Sequence, residues 1–298
     1  MMVERKNIPE LVFDILNYAL LVIFSLLFIY PMIHVIMASL SDPIKLLSHI
    51  GPLLKPSGFS LEGYKVVFNN PNISSGYKNT LIYVIAGTAV NILFTSMGAY
   101  VLSRRSLMFK KLLTIAIVFT MYFSGGLIPN FLLVRAIGFY NTRWALIIPG
   151  AIATWNLIVM KTSFQSIPAS LEESAKIDGA NDFIVLFRII LPVAKATVAV
   201  MVLFYSVGHW NSWFNAMVYL RSRDLWPLQL FLREILLSNT SAGSSVTEMA
   251  MEDVQGVFLL DELIKYCTIV IATVPILFVY PFAQKYFMKG VMMGSLKE

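Results

Sequence analysis

The stretch Glu172–Leu186, EESAKIDGANDFIVL, decides how this chain is organised, because it is a charged, glycine-containing segment between two apolar runs. Those runs, at about 144–162 and 196–220, are each near the ~20 residues that a helix needs to cross a bilayer. A polar segment between two such runs lies outside the hydrocarbon, where its charges are solvated. The pattern predicts a docking surface, not a catalytic site, on a membrane subunit that a soluble partner moves.

The composition makes lipid part of this protein's solvent. Of 298 residues, 57% are hydrophobic and 13% are charged, and the mean hydropathy is +0.72, whereas soluble domains carry about 25% charged residues. Water cannot cover this much apolar surface, which argues against one large soluble core and favours a lipid bilayer. The net charge of +6 forms no basic stripe with interleaved aromatic residues, so no nucleic acid is expected as a partner.

Six apolar runs predict an all-α, polytopic membrane protein that forms a single transmembrane domain over residues 1–298. The predicted spans lie at about 15–38, 79–102, 112–133, 144–162, 196–220 and 263–283. No Lys or Arg falls near the middle of any run, where either would oppose insertion by about 2.5–3.5 kcal/mol. The first run is longer than the ~7–15-residue apolar core of a signal peptide, so we expect it to be retained.

The positive residues predict the orientation of the spans. The short loop between the second and third runs holds Arg104, Arg105, Lys110 and Lys111 and no acidic residue. Such loops face the cytosol. Alternation then places both termini and the segment at about 163–195 in the cytosol, and the longer loops at about 41–78 and 221–262 outside.

Two short helices are predicted within segment 163–195. Pro168 suits a helix start, with Ser166 as a candidate cap, and Glu172–Glu173 then lie in the first turns, where the helix dipole favours anions. Gly179 fits a helix end or a close backbone approach. A second helical segment from Asp182 to Ile190 completes a compact knob.

The spacing of residues in this knob resembles the cytoplasmic loop of the membrane subunits of binding-protein-dependent ABC importers. The family pattern is Glu-Ala-Ala, three residues, Gly, nine residues, Ile, one residue, Leu-Pro. Here Glu173-Ser174-Ala175 is followed by Gly179 and then by Ile189, Leu191 and Pro192, with both spacings kept and one small-for-small change, Ser174. The resemblance implies that an ATPase docks on Glu172, Glu173, Ser174, Ala175, Asp178, Gly179, Ala180, Ile189, Leu191 and Pro192.

Other stretches carry the resemblance further. Asp178-Gly179-Ala180 and the ending Gly290–Ser295 are similar to carbohydrate-type permeases related to the smaller membrane subunit of the maltose transporter. The stretch Tyr122–Pro129, YFSGGLIP, is similar to a branch that handles complex plant-derived or host-derived oligosaccharides. These likenesses imply a sugar importer, for an oligosaccharide, in the bacterial cell membrane. An importer for a non-sugar solute and an ion-coupled secondary transporter are the alternatives.

The resemblance also implies the partners: a second homologous permease, two ABC ATPase subunits and an extracellular sugar-binding protein.

A P-loop needs Gly-x4-Gly-Lys-Ser/Thr, and no Gly-Lys pair occurs in this chain. We therefore expect no cofactor here, with ATP and Mg bound by the ATPase. The chain has no Gly-x-Ser-x-Gly elbow or His-Glu-x-x-His pair and its three histidines are far apart, so neither an enzyme nor a metal site is expected.

Candidate substrate contacts lie in the fifth run, at Gly208–Asn215, GHWNSWFN. Asn211 and Asn215 are four residues apart, which predicts one shared helix face, with Trp210 or Phe214 beside it. Amides can hydrogen-bond sugar hydroxyls, and an aromatic ring offers a flat apolar face. The alternative is that these side chains make interhelical hydrogen bonds and interfacial anchors.

Two further amides lie within predicted spans, and helix packing is the favoured role for both. These are Asn91 in the second run and Asn156 in the fourth. Gly87 and Gly98 are predicted to permit close helix approach.

Overall fold

The computed structural model describes residues 8–104, 106–241 and 262–278, together with Pro281. The ending Gly290–Ser295, Arg105, residues 242–261 of the second predicted outer loop and the end of the sixth predicted span lie outside the described residues. Within them the chain is helical and contains no strand, only one isolated antiparallel bridge between Ser41 and Phe59. The predicted all-α class is therefore confirmed for the part of the chain that the structure describes.

The first half of the chain holds two long helices and several short ones. They are α1 (Ile8–Ser39), α2 (Pro43–Ser48), α3 (Glu62–Asn69), α4 (Pro71–Ser103), α5 (Lys110–Tyr122), α6 (Leu127–Ala136) and α7 (Trp144–Ile147).

The second half consists of shorter helical pieces. They are α8 (Thr154–Gln165), α9 (Ala169–Ile177), α10 (Asp182–Ile184), a π-helix (Val185–Ile190), α11 (Leu191–Val193), α12 (Lys195–Trp210), α13 (Phe214–Tyr219), a 3-10 turn (Arg223–Leu225), α14 (Leu228–Ser241) and α15 (262–278).

The chain divides into two compact units. The first comprises the described residues up to Asn70 and those from Ile235 to Thr273, and the second comprises Pro71 to Glu234 and the described residues from Val274 onward. In the first unit the end of α1 is held by polar contacts, since the Ser39 hydroxyl lies 2.8 Å from the Tyr64 hydroxyl. The side chain of Cys267 donates to the Ser39 carbonyl at 3.4 Å.

In the second unit α4 packs against α8 and α12 through a stripe of small and polar residues. Its buried members include Gly87, Asn91, Thr95 and Ala99, each four residues after the one before. This spacing keeps them on one helix face, and small residues let helix backbones approach closely in a membrane. One apolar cluster lies around Tyr83, near the start of α4, and another around Tyr100, near its end.

Two described helices, α1 and α4, are each long and apolar enough to cross a bilayer, and two bent pairs meet the same test together. The pairs are α5 with α6, bent by 112°, and Asp182–Val193 with α12, bent by 89°. Two to four spans therefore satisfy the criterion in the described residues, and six remains a prediction.

Three predicted spans are not single helices. Run 112–133 is interrupted at Gly125–Gly126, where Gly126 has φ of +84°, and run 144–162 at Pro149–Gly150, between α7 and α8. Run 196–220 is interrupted at 211–213. Glycine and proline favour helix ends and account for the first two breaks, whereas the third contains neither residue.

Candidate functional site

The loop between α8 and α12 turns sharply at Gly179. Its N–H donates to the Lys176 carbonyl at 3.1 Å, and the N–H of Ala180 donates to the Ala175 carbonyl at 2.9 Å. This pair of bonds is the Schellman motif that ends a helix, with Asp178 as the C-cap. Gly179 has φ of +84°, a left-handed conformation in which a Cβ costs roughly 1–2 kcal/mol. The spacing between Ala175 and Gly179 is therefore a requirement of the turn.

The second helical piece of the loop begins directly after this turn. The side chain of Asn181 caps it by accepting from the N–H of Ile184 at 2.9 Å. The π-helix that follows buries Val185, Leu186 and Ile190 in the cluster around Tyr100. This apolar face packs the loop against α4, α8 and α12.

Tyr100, near the end of α4, bridges the two helical pieces of the loop. Its hydroxyl oxygen lies 3.2 Å from Oε1 of Glu172 on α9 and 3.1 Å from Oδ1 of Asp182 on α10. Because a hydroxyl has one hydrogen, it donates to one of these carboxylates at a time. Both helices of the knob are thus held by the same residue of α4.

Two cations complete this contact. Arg104 forms an ion pair with Glu172 and stacks over the Tyr100 ring, 4.4 Å from its centroid. The Lys176 ammonium lies 3.0 Å from Glu172 and 3.2 Å from Asp182. The hydrogen bond from Lys176, followed by the bond from Tyr100, lowers the pKa of Asp182. We call these five residues the clamp: two positive and two negative groups around one tyrosine.

The outer surface of the loop carries large apolar side chains. Ile177 is 86% exposed and Phe183 is 61% exposed, and Leu171, Ile184 and Phe187 are also exposed. Exposed apolar side chains on a polar loop are typical of a protein–protein contact. We call these five residues the apolar patch of the loop.

The break between α12 and α13 borders a large cavity. Its volume is about 850 Å³, and its walls are mainly apolar. Asn156, Ser206 and Asn211 supply polar groups, and Phe204 and Trp210 supply aromatic rings. The cavity can hold a ligand that has both apolar faces and hydrogen-bonding groups.

Comparison with known proteins identifies the family. Residues 106–214 match the family described as binding-protein-dependent transport system inner membrane component. The polygalacturonan/rhamnogalacturonan transport system permease protein YtcP of Bacillus subtilis (strain 168) is 43% identical over 288 residues, 96% of this chain and 98% of that protein. The chain belongs to this family.

More distant relatives of this binding-protein-dependent permease are also sugar transport proteins by name. The diacetylchitobiose uptake system permease protein NgcG of Streptomyces coelicolor is 26% identical over 96% of this chain and 89% of its own length. A chain in the crystal structure of a bacterial ABC transporter involved in the import of the acidic polysaccharide alginate is 30% identical, with a TM-score of 0.85, over 96% of this chain and 100% of that chain. These findings confirm the predicted resemblance to ABC importer permeases and the predicted class, a transport subunit and not an enzyme.

The ten residues predicted to couple this permease to an ATPase differ in exposure and in what they contact. Four of them are exposed: Glu173, Ser174, Asp178 and Pro192. Three form the turn (Ala175, Gly179 and Ala180), and one, Glu172, belongs to the clamp. The last two, Ile189 and Leu191, are partly buried against the core. Contact with an ATPase stays a prediction for all ten. The proposed cap is wrong: the Ser166 hydroxyl donates to the Ser163 carbonyl at 2.7 Å, because Ser166 still belongs to the end of α8.

The predicted substrate contacts do not share one helix face. Helix α12 ends at Trp210, and α13 begins at Phe214, so the four-residue spacing of Asn211 and Asn215 spans a break. Trp210 and Asn211 line the cavity, whereas Phe214 and Asn215 are exposed and do not line it. Substrate contact stays a prediction for the four residues.

Asn91 has the packing role predicted for it. Its side-chain nitrogen donates to the carbonyls of Gly150 and Ala151, at 2.6 and 3.0 Å. Its side-chain oxygen lies 2.7 Å from Nε2 of His209, whose ring lies against Gly87. The missing side chain of Gly87 thus makes room for a polar contact between α4 and α12.

Sequence reasoning missed Tyr100, Arg104, Asn181 and His209. Asn181 directly precedes Asp182 at the start of the second helix, and asparagine is a preferred N-cap, so this residue could have been found. Tyr100 and Glu172 are 72 residues apart, and no local pattern joins them.

Proposed function

We propose that this chain is a permease subunit of an ABC importer that moves an oligosaccharide into the cell. Hydrolysis of ATP on a partner ATPase, which holds ATP and Mg, drives the movement, and the ATPase docks on the loop at 163–195. The relatives that carry substrate names transport sugars, which favours an oligosaccharide over the alternative of a non-sugar solute. Family membership argues against an ion-coupled carrier.

The geometry of the knob is the observation that carries this proposal. The Schellman turn at Gly179 fixes two short helices against each other, and the clamp fixes both to α4. The apolar patch is then exposed, with no cover from the residues that the structure describes. A rigid knob with an uncovered apolar surface suits a partner that must push it.

The assembly implied by the proposal contains this permease, a second homologous permease, two ATPase subunits and an extracellular sugar-binding protein. The family description refers to binding-protein-dependent transport, which supports the last of these. In α1, the most apolar window has none of its residues buried within the chain, so lipid or the second permease covers it. Six spans with both termini in the cytosol place the knob beside the ATPase.

The cavity at the α12–α13 break is the proposed passage for the sugar within this subunit. Trp210 offers an aromatic face, and Asn211 and Asn156 offer amides that can pair with hydroxyl groups. Asn215 and Phe214 lie beyond the break and would contact the sugar outside the cavity.

Replacement of Ile177 tests ATPase docking. An Ile177→Asp variant places a charge in the apolar patch, and we expect the ATPase to be lost from the purified complex together with ATP-driven sugar uptake in proteoliposomes. Ile50→Asp is the matched control, because Ile50 is 97% exposed and lies in the predicted outer loop. Retention of the ATPase and of uptake by the Ile177 variant would argue against docking at the patch.

A further inference from the structure

Among the described residues of the second unit, basic side chains outnumber acidic ones in the segments near the start of α4, at the end of the helix opposite the clamp. The segments 71–81, 124–143 and 211–234 contain six basic residues and two acidic ones. The basic residues are Lys78, Arg135, Arg143, Arg221, Arg223 and Arg233, and the acidic ones are Asp224 and Glu234. Helix α4 rises 1.5 Å per residue, so Tyr83 and Tyr100 are about 25 Å apart along it.

Two arginines at this end differ in what they contact. Arg223 pairs with both carboxylate oxygens of Glu234, at 2.8 and 2.7 Å. Arg233 has no acidic partner among the described residues; its guanidinium lies 4.4 Å from the centroid of the Trp213 ring, and one of its nitrogens lies 2.9 Å from the sulfur of Met217. Glu234 therefore neutralises the charge of Arg223, whereas no described residue neutralises that of Arg233.

The surroundings of Arg233 are aromatic and open. Trp213 is 37% exposed, Phe214 is 43% exposed, and their rings meet edge to face at 5.5 Å. Trp213 lies two residues beyond Asn211, which lines the cavity. A guanidinium that lies over an indole face keeps its N–H groups in its own plane, where those that do not contact Met217 can reach a ligand at the edge of the pair.

We propose that Arg233 and Trp213 form a binding site for an acidic oligosaccharide, a chain of sugars that carry carboxylate groups. The guanidinium would hold a sugar carboxylate through two parallel hydrogen bonds, and exposed aromatic faces beside it would stack on sugar rings. The inference rests on the proposed function and narrows its substrate. It agrees with the named cargo of two relatives, since polygalacturonan is a polymer of an acidic sugar and alginate is an acidic polysaccharide.

The test measures binding of two probes to the assembled membrane complex in nanodiscs, without the sugar-binding protein. The probes are trigalacturonate and its full methyl ester, which has the same rings but no charge. By isothermal titration calorimetry we expect trigalacturonate to bind at least about tenfold more tightly, as a charged hydrogen-bonded pair predicts. Arg233→Gln should remove this preference, and Arg233→Lys should keep part of it because the charge remains without the planar fork.

Arg221→Gln is the matched control, since it removes the same charge from the same end of the unit. An equal loss of preference in both variants would assign the effect to the general field and overturn the site. Absence of a preference in the unaltered complex would also overturn it. So would an Arg233→Gln variant that changes only stimulation by the binding protein, which would point to a protein contact.

A separate measurement distinguishes failure of this site from failure of the proposed function. ATP-driven uptake of oligosaccharides in proteoliposomes reports the importer, whether or not the cargo is charged. Uptake by a complex that shows no preference for the carboxylate probe would support the importer function and contradict the proposed binding site.

Discussion

The two ends of α4 handle charge in opposite ways. At the clamp, Arg104 and Lys176 are balanced by Glu172 and Asp182 within the chain. At the start of α4, the side chain of Asn79 instead donates to the backbone carbonyls of Asp224 and Trp226, and arginines outnumber acids in the described segments 71–81, 124–143 and 211–234. A balanced end suits transmission of force between helices, and an unbalanced end suits a charged ligand.

This difference accounts for how one helix can serve two partners. Tyr100 ties α4 to both helices of the knob, while Tyr83 donates to the Leu225 carbonyl at 2.7 Å and so ties it to the loop before α14. A shift of the knob by the ATPase would therefore reach the far end through a single helix. The variants below test each end and the connection between them.

The largest effect is expected at the turn of the knob. Gly179→Phe combines a strained left-handed backbone with a bulky side chain, at a position where no described residue beyond the two chain neighbours lies within 4 Å of an added Cβ. We expect the variant to insert and fold but to reduce ATP-driven uptake to background, since the side chain would occupy the space of the partner.

Gly179→Asn is the comparison for this variant, because asparagine tolerates the left-handed region and is smaller. Substantial uptake by the Asn variant and none by the Phe variant would locate the fault at the docked surface. Full uptake by the Phe variant would contradict a role for this turn in docking.

A smaller effect is expected from Gly87→Ala, in the middle of α4. An added Cβ would lie closer to the His209 ring than van der Waals contact allows, and the contact between His209 and Asn91 limits how the ring can move. Overpacking of this kind costs about 1–3 kcal/mol, so we expect a lower melting temperature of the detergent-solubilised complex. In a His209→Ala background the same change should cost little, and an equal cost there would exclude this steric explanation.

Removal of one hydroxyl from the clamp is expected to alter coupling more than stability. Tyr100→Phe keeps the ring under Arg104 but removes the donor to Glu172 and Asp182, a loss of about 1 kcal/mol for an ordinary hydrogen bond. We expect fewer sugar molecules transported per ATP hydrolysed, with assembly intact. Tyr83→Phe is the matched control at the opposite end of α4, and an equal fall in this ratio there would remove the special role of the clamp.

The knob could be predicted well from the sequence because the residues that form its turn are close together in the chain. The spacing from Ala175 to Gly179 and Ala180 matches one hydrogen-bonded turn, so a short sequence pattern is enough to predict that turn. The membrane helices were harder to predict, since run 196–220 remains apolar overall although Asn211 ends α12. No local signal in the run marks that break, and contacts such as Tyr100 with Glu172 join residues that only the tertiary fold brings together.

The smallest effect is expected from Asp182→Asn, in the clamp. Asp182 is exposed, and solvent screens its pairing with Lys176, so loss of the charge should lower stability by at most about 1 kcal/mol. The bond from Lys176 lowers the pKa of this carboxyl, so its contribution is complete above the ordinary aspartate pKa of about 3.9 and is lost as pH falls through the lower folded value. The difference in melting temperature between the variant and the unaltered complex should therefore stay constant from pH 6 to about pH 8 and shrink only under acidic conditions. A difference that changes within the neutral range would show that another titrating group governs this end of α4.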